Sequence, residues 1–349
     1  MATRVSGGSA RRGDVYLGSP AYADVLVAEL ARLGAKHPVD VAPGVIVVDA
    51  GPLLDPCFAL DVLPDAVLVT AKSANDLAGA LLDAVGDMPE RVHVVLPEVA
   101  RRGSRALEEH PLAAARVDLA DVVDKKRAGR VEKHGVPAVP GLVVTAVLVD
   151  AWSAWVSAAV SANADPVPAL LAWPSRFPGG RALGEDAKDA PSSAHRKLDE
   201  ALLWLEREPG PDDMVLDLGA APGGWSWVAL QKGARVWAVD RADLSPDVAR
   251  HERLTHVKAD AFTWTPERMP TWLLCDVIAE PERSLDVAKR ALTSRSLKGL
   301  VVTLKLKQPV SLKLLDEARA VAQRTQGFFG RCKHLAANKL EVTLMMRRA

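Results

Sequence analysis

The sequence predicts an α/β chain in two parts, a C-terminal Rossmann-like, doubly wound sheet behind an N-terminal α+β region. Three observations carry this expectation. After residue 195, apolar strand-like runs alternate regularly with helix-period stretches. The first of those runs enters a small-residue turn, Gly219-x-Ala221-x-x-Gly224, that opens a helix. Ahead of both lies an aperiodic stretch, 163–193, with five prolines and two adjacent glycines.

The elements follow in order. Residues 1–14 are polar and read as a disordered arm. "DVYLG" is a short strand and "AYADVLVAELARLGA" an amphipathic helix ending at Gly34. Strands are expected at 44–50, 65–71 and 91–98, and helices at 73–87 and 104–128. "GLVVTAVLVDAWSAWVSAAVS" (141–161) reads as a hairpin-like pair. These elements make 15–162 the N-terminal region, 163–190 a linker and 191–349 the C-terminal domain. "AHRKLDEALLWLE" is a helix with an apolar stripe at Leu198, Ala201, Leu202 and Leu205. Strands are expected at 213–218, 235–240, 255–258, 271–276, 299–306 and 340–347, with helices at 224–231, 281–293 and 311–327.

Bulk properties exclude more than they identify. Lys plus Arg and Asp plus Glu number 44 each, so any nucleic-acid face must be local. The three cysteines, Cys57, Cys275 and Cys332, match no zinc spacing and read as buried thiols in a reducing cytoplasm, and no metal is expected. No run reaches the roughly 18 apolar residues of a membrane helix, and the polar start lacks the apolar core of a signal peptide.

On its own the turn could cradle a dinucleotide, hold S-adenosylmethionine or be a tight strand-to-helix connection. Pro222 has a fixed φ and no N–H, which suits neighbouring amides that face a ligand, while Gly223 and Gly224 permit close approach. Three acids then close three successive strands: Asp240 for a ribose, Asp260 for an adenine amino group and Asp276 beside the reacting centre. That set fits S-adenosylmethionine better than a nicotinamide. Trp225 sits close enough to the turn to touch the cofactor.

"DLGAAPGGWSWVAL", Asp240, Asp260 and "WLLCD" together resemble the FtsJ-like (RrmJ-type) ribose 2′-O-methyltransferases. The resemblance implies a Lys-Asp-Lys-Glu tetrad at Lys197, Asp276, Lys305 and Glu341, on the helix before the first strand and on strands four, six and seven in family terms. Within that superfamily "APSS…KLDEA", "CDVIAEP", "LKLK" and "AWVSAAVSANADPVP…WPSRFP" are most similar to the large-subunit rRNA cytidine 2′-O-methyltransferase M family. This implies an S-adenosylmethionine methyltransferase domain, a ferredoxin-like piece with a THUMP RNA-binding domain before it, and 23S rRNA as partner. It departs from the family pattern at Ser192-Ser193-Ala194-His195-Arg196. If burial and Lys197 lower the pKa of Lys305, that lysine can also take the 2′-hydroxyl proton.

Basic residues crowd the last sixty or so positions, namely Lys289, Arg290, Arg295, Lys298, Lys305, Lys307, Lys313, Arg319, Arg324, Arg331, Lys333, Lys339, Arg347 and Arg348, with a second cluster at 124–135. Both suit an RNA partner. His334, Trp173, Trp225 and Trp227 are candidates for base stacking, with packing the commoner fate of such residues. The leading expectation is a cytoplasmic enzyme, favoured as a monomer, that methylates a cytidine ribose in large-subunit rRNA. The same chemistry on an rRNA uridine or a tRNA, and a non-catalytic ribosome assembly factor, are the competing readings.

Overall fold

The computed structural model describes residues 11–85, 91–97, 110–127, 141–161, 173–175, 177–182 and 187–349. The chain forms two units, one of residues 1–163 with 173–180 and one of residues 164–172 with 181–349.

The first unit is built on a seven-stranded sheet in the order β2-β3-β1-β4-β7-β6-β5. Its strands are β1 (Arg12–Gly18), β2 (Val39–Ala42), β3 (Val45–Val48), β4 (Ala59–Thr70), β5 (Arg91–Val95), β6 (Gly141–Leu148) and β7 (Ser153–Ser161). Its helices are α1 (Ala23–Arg32), α2 (Ala74–Val85) and α3 (Ala113–Arg127). All pairs are antiparallel except β5 with β6. One core packs α2 and α3 on the sheet through Leu77, Leu81, Leu119, Val123, Val144 and Val156. A second cluster gathers Val15, Leu17, Val45, Leu63 and Trp155.

Three expectations need adjustment here. Residues 12–14 belong to β1 rather than to an arm, and residues 1–10 lie outside the described residues. The strand expected at 65–71 is the second half of the longer β4, whose reading breaks at Pro64 and at Asp65 with φ 44°. Pro64 cannot donate to a ladder, and here its carbonyl accepts the Ser157 hydroxyl while Asp14 accepts the Asp65 N–H at 2.8 Å. Part of the expected linker packs in this unit: Ser175 N–H donates to Asp61 at 2.7 Å, and a Cβ on Gly180 would strike the β4 backbone at Leu60. Residues 163–172, 176 and 183–186 of that stretch lie outside the described residues.

The second unit has the strand order β10-β9-β8-β11-β12-β14-β13. Its strands are β8 (Met214–Leu218), β9 (Arg235–Val239), β10 (Leu254–Val257), β11 (Trp272–Cys275), β12 (Gly299–Lys305), β13 (Phe328–Lys333) and β14 (Glu341–Arg348). The helices are α4 (His195–Leu205), α5 (Gly224–Gln231), α6 (Pro246–Ala249), α7 (Pro281–Leu292) and α8 (Leu312–Arg324). The central strands are apolar runs buried along their length, as both-sided burial requires. Helix starts follow local chemistry: Pro281 takes the first turn of α7, and the Ser311 hydroxyl accepts Leu314 N–H to cap α8.

The doubly wound reading holds for β8 to β12, which are parallel, but the sheet is mixed. β14 inserts antiparallel between β12 and β13. The sequence reading missed β13, "FFGRCK", because its Gly330, Arg331 and Lys333 break an apolar run; both cations are nonetheless buried. In chain order Lys305 stands on the fifth strand of this unit, as expected, and Glu341 opens the seventh.

Candidate active site

The parallel strands β8, β9 and β11 end at one edge of the sheet, and the antiparallel β14 begins there. Lys305 closes β12 and Glu341 opens β14, and the two are direct cross-strand partners. Asp276 follows the last residue of β11, and Lys197 lies in the first turn of α4.

Four ion pairs join these side chains into a closed square. Lys197 Nζ is 2.6 Å from Asp276 Oδ2 and 3.3 Å from Glu341 Oε1. Lys305 Nζ is 2.6 Å from Asp276 Oδ1 and 2.5 Å from Glu341 Oε2. Two cations and two anions cancel, which is how a set this buried avoids an uncompensated charge. Lys305 keeps the most exposed side chain of the four, at 23%. Burial draws its ammonium down, yet Asp276 and Glu341 together raise it above the ordinary lysine value. This corrects the expectation that burial and Lys197 would lower it: two carboxylates at hydrogen-bond distance outweigh desolvation. Burial pushes Glu341 up, and Lys197 and Lys305 more than reverse it, so its carboxyl lies below the usual range.

Next to the square lies the turn. Gly219 has φ 76°, and a Cβ there would meet Val277 at 2.7 Å. Gly223 has φ 114° and precedes α5, where a Cβ would meet Val248 at 3.0 Å. Both positions therefore require glycine. A Cβ on Gly224 would strike the Ser192 hydroxyl, so the turn also abuts the segment that leads into α4. The Ala221 N–H donates to Asp240 Oδ2 at 3.0 Å, and the Pro222 carbonyl accepts Ser245 N–H at 2.9 Å. The turn is thus fixed to the end of β9 and the start of α6.

The acids divide. Asp240 and Asp276 both lie near enough to Asp217 for their charges to raise its carboxyl. Asp260 stands by Arg241 at 3.0 Å and accepts Phe262 N–H at 2.8 Å. Asp217 itself was missed as a site residue, because inside "MVLDL" it reads as an interruption of a strand. It is 1% exposed, its Oδ2 accepts the Ser226 hydroxyl at 2.7 Å, and its Oδ1 is buried with no hydrogen-bond partner. Burial raises its carboxyl to about 7 against the Ser226 hydrogen bond, with the Asp276 and Asp240 charges adding to the rise. A buried carboxylate oxygen left without a partner calls for an explanation, and with the glycine turn tied to Asp240 at the end of β9 these residues fit S-adenosylmethionine.

The aromatic candidates are mostly structural. Trp225 is 3% exposed and its indole N–H donates to the Ala194 carbonyl at 2.8 Å, so it braces the start of the Lys197 helix. Trp227 packs edge-on against His195 with centroids 6.1 Å apart. His334 is buried with Nδ1 2.9 Å from the Glu341 carbonyl and cannot stack a base. The C-terminal basic cluster also thins out. Arg319, Arg331 and Lys333 are buried, and Lys289, Lys298 and Lys307 pair with Glu317, Asp213 and Glu280. Of the second cluster, 128–135 lies outside the described residues. Among the described residues no acidic, histidine or cysteine group is arranged to hold a metal, and no helix is long and apolar enough to cross a membrane.

Residues 192–335 match the family model described as FtsJ-like methyltransferase. Ribosomal RNA large subunit methyltransferase M of Azoarcus sp. (strain BH72) is 28% identical over 298 residues, 82% of this chain and 78% of that one. The same-named protein of Thauera aminoaromatica is 27% identical over 301 residues, 83% and 79% of the two chains. That of Xylella fastidiosa (strain M12) is 37% identical over 167 residues, 45% and 47%.

Proposed function

We propose, from the premise that residues 192–335 form an FtsJ-like methyltransferase domain, that the protein methylates a ribose 2′-hydroxyl of large-subunit (23S) rRNA, on a cytidine. The closed Lys197–Asp276–Lys305–Glu341 square carries this reading. The methyl donor is S-adenosylmethionine, which supplies an electrophilic methyl group on a sulfonium. Gly219, Ala221, Pro222, Gly223, Gly224, Asp240 and Asp260 are the residues we assign to hold it, with Asp217 beneath them.

A ribose hydroxyl is a poor acid, so the site must take its proton as the oxygen attacks. Lys305 is the most exposed member of the square, and its free amine would lie beside two carboxylates that favour regaining a proton. That makes it a strong base, scarce at neutral pH because its proton is held firmly. Lys197 keeps the two carboxylates neutralised in pairs and supports negative charge on the attacking oxygen. Asp276 and Glu341 fix both Nζ atoms, so alignment supplies much of the rate. Trp225 and the Gly224 contact hold the segment that delivers Lys197.

The first unit we read as a ferredoxin-like piece followed by a THUMP RNA-binding region, a reading that suits an RNA substrate met in the cytoplasm. The antiparallel order β2-β3-β1-β4 with α1 supports the first assignment. The α2 and α3 layer over β5 to β7 supports the second.

The test is transfer of a labelled methyl group from S-adenosylmethionine to protein-free rRNA from a strain lacking the gene. A 2′-O-methylcytidine is the expected product, and Lys305→Ala should slow transfer by about 100-fold or more. Transfer by Lys305→Ala at the wild-type rate would remove the assignment.

A further inference from the structure

The helix that carries Lys197 also carries a buried carboxylate, one turn further on. Glu200 is 2% exposed and makes no ion pair with the square. Its Oε1 accepts the Ala336 N–H at 2.9 Å and its Oε2 the Ala337 N–H at 3.0 Å. Those consecutive amides belong to residues 334–340, the connection from β13 to β14, and Glu341 is the residue that follows.

That connection grips Glu341 at several points. Asn338 N–H donates to the Leu335 carbonyl at 2.9 Å, and Asn338 Nδ2 donates to the Glu341 carbonyl at 3.3 Å. His334 Nδ1 lies 2.9 Å from the same carbonyl. Lys339 N–H donates to Glu341 Oε1 at 3.3 Å. The α4 helix and the connection are therefore pinned together twice, by Glu200 on two amides and by Lys197 on Glu341.

Holding a carboxylate there is costly. Burial pushes Glu200 up to about 7, against the two amides and the charge of Lys333. Lys333 on β13 is itself buried, with Nζ 4.8 Å from the Trp204 ring centroid. A neutral side chain would be easier to bury, but a carboxylate offers two equivalent acceptors to two adjacent N–H groups, which an amide does not.

We propose that Glu200 is a positioning residue for methyl transfer: it clamps the β13–β14 connection to α4 so that Glu341 reaches both Lys197 and Lys305. The inference rests on the methyltransferase reading above and deepens it. Loss of the clamp lets Glu341 withdraw, and Lys305 then keeps only Asp276 to hold its proton.

The full-length chain, its Glu200→Gln and Glu341→Gln variants and the double variant are compared from about pH 7 to 9.5, with S-adenosylmethionine affinity measured in parallel. Glu200→Gln should lower kcat about 10- to 100-fold while cofactor Kd and RNA KM stay within about twofold. It should also move the rising limb of the pH profile downward, as Glu341→Gln does, and the double variant should be no slower than Glu341→Gln alone. An unmoved limb with losses that add in the double variant would overturn the proposal and leave Glu200 with stability alone. If Glu200→Gln does not fold, Ala337→Pro removes one of the two donors from the other side; the limb must move there too, and an unmoved limb overturns the proposal equally. A wild-type chain that transfers no methyl group sinks the functional reading and this inference with it. An active wild type with an unaltered Glu200→Gln profile sinks the inference alone.

Discussion

Lys305 meets two carboxylates at once, and that fixes its behaviour with pH. Its ammonium is raised above the ordinary lysine value by Asp276 and Glu341 against the opposing effect of burial. If the free amine is the reactive form, kcat/KM, which reports the free enzyme, should rise through the alkaline range without levelling near the ordinary lysine pKa of about 10.4. Glu341→Gln removes one raising charge and should bring the plateau to lower pH. A rate independent of pH between about 7 and 9.5 would exclude Lys305 as the proton acceptor. The four members of the square were legible through the resemblance to FtsJ-like methyltransferases, which implied a tetrad at these positions, rather than from composition or periodicity. Asp217 and Glu200 were not: an acid inside an apolar strand, and an acid within an ordinary "KLDEA" helix, reveal their burial only once the sheet is assembled.

At the level of elements, alternation of apolar runs and helical stretches located nearly every strand of the second unit to within a residue or two. What it could not show was direction and insertion. β14 reads as a strand, but its place between β12 and β13 depends on long-range pairing, and β13 is disguised by buried cations. The β11–β12 pair illustrates how tight such pairing is. Gly299 is the register partner of Trp272, and a Cβ there would lie 2.5 Å from the indole ring. Trp272 is fully buried, so the ring cannot swing away. Gly299→Ala should therefore destabilise the protein by about 1–3 kcal/mol, visible as a lower midpoint in thermal or denaturant melts. An unchanged midpoint would mean the strands can separate locally without cost.

For the whole molecule, the equal counts of acids and bases leave RNA affinity to local cations. In the second unit that supply is smaller than the sequence suggests, since three of the clustered cations are buried and three have acidic partners, while Arg290, Arg295, Lys313, Arg324 and Lys339 stay exposed. Binding of rRNA should therefore weaken only moderately with salt. A slope of log affinity against log salt of about −3.5, for on the order of five phosphate contacts, is expected rather than one near −7 for ten. A filter-binding titration across salt concentrations measures it, and a steep slope would point to many more phosphate contacts than these free cations offer. The division into two units was legible from the proline-rich break, but part of that stretch packs onto Asp61 of β4. Nothing in "WPSRFPGG" announces such an attachment.

The inserted final strand also bears on assembly. Among the described strands β13 has β14 alone as its neighbour in the sheet, so it has no ladder to join until β14 exists. The pair can therefore complete the sheet as a hairpin docking on β12, and both strands follow the glycine turn and the acids beside it in the sequence. Until that hairpin docks, Lys197 and Lys305 would share the single anion Asp276 and repel one another. Docking of that hairpin delivers Glu341 and the amides for Glu200 in one event, so the charge balance of the centre and the completion of the fold are achieved together. A molecule caught part-way would have the means to hold its cofactor before it had the means to use it.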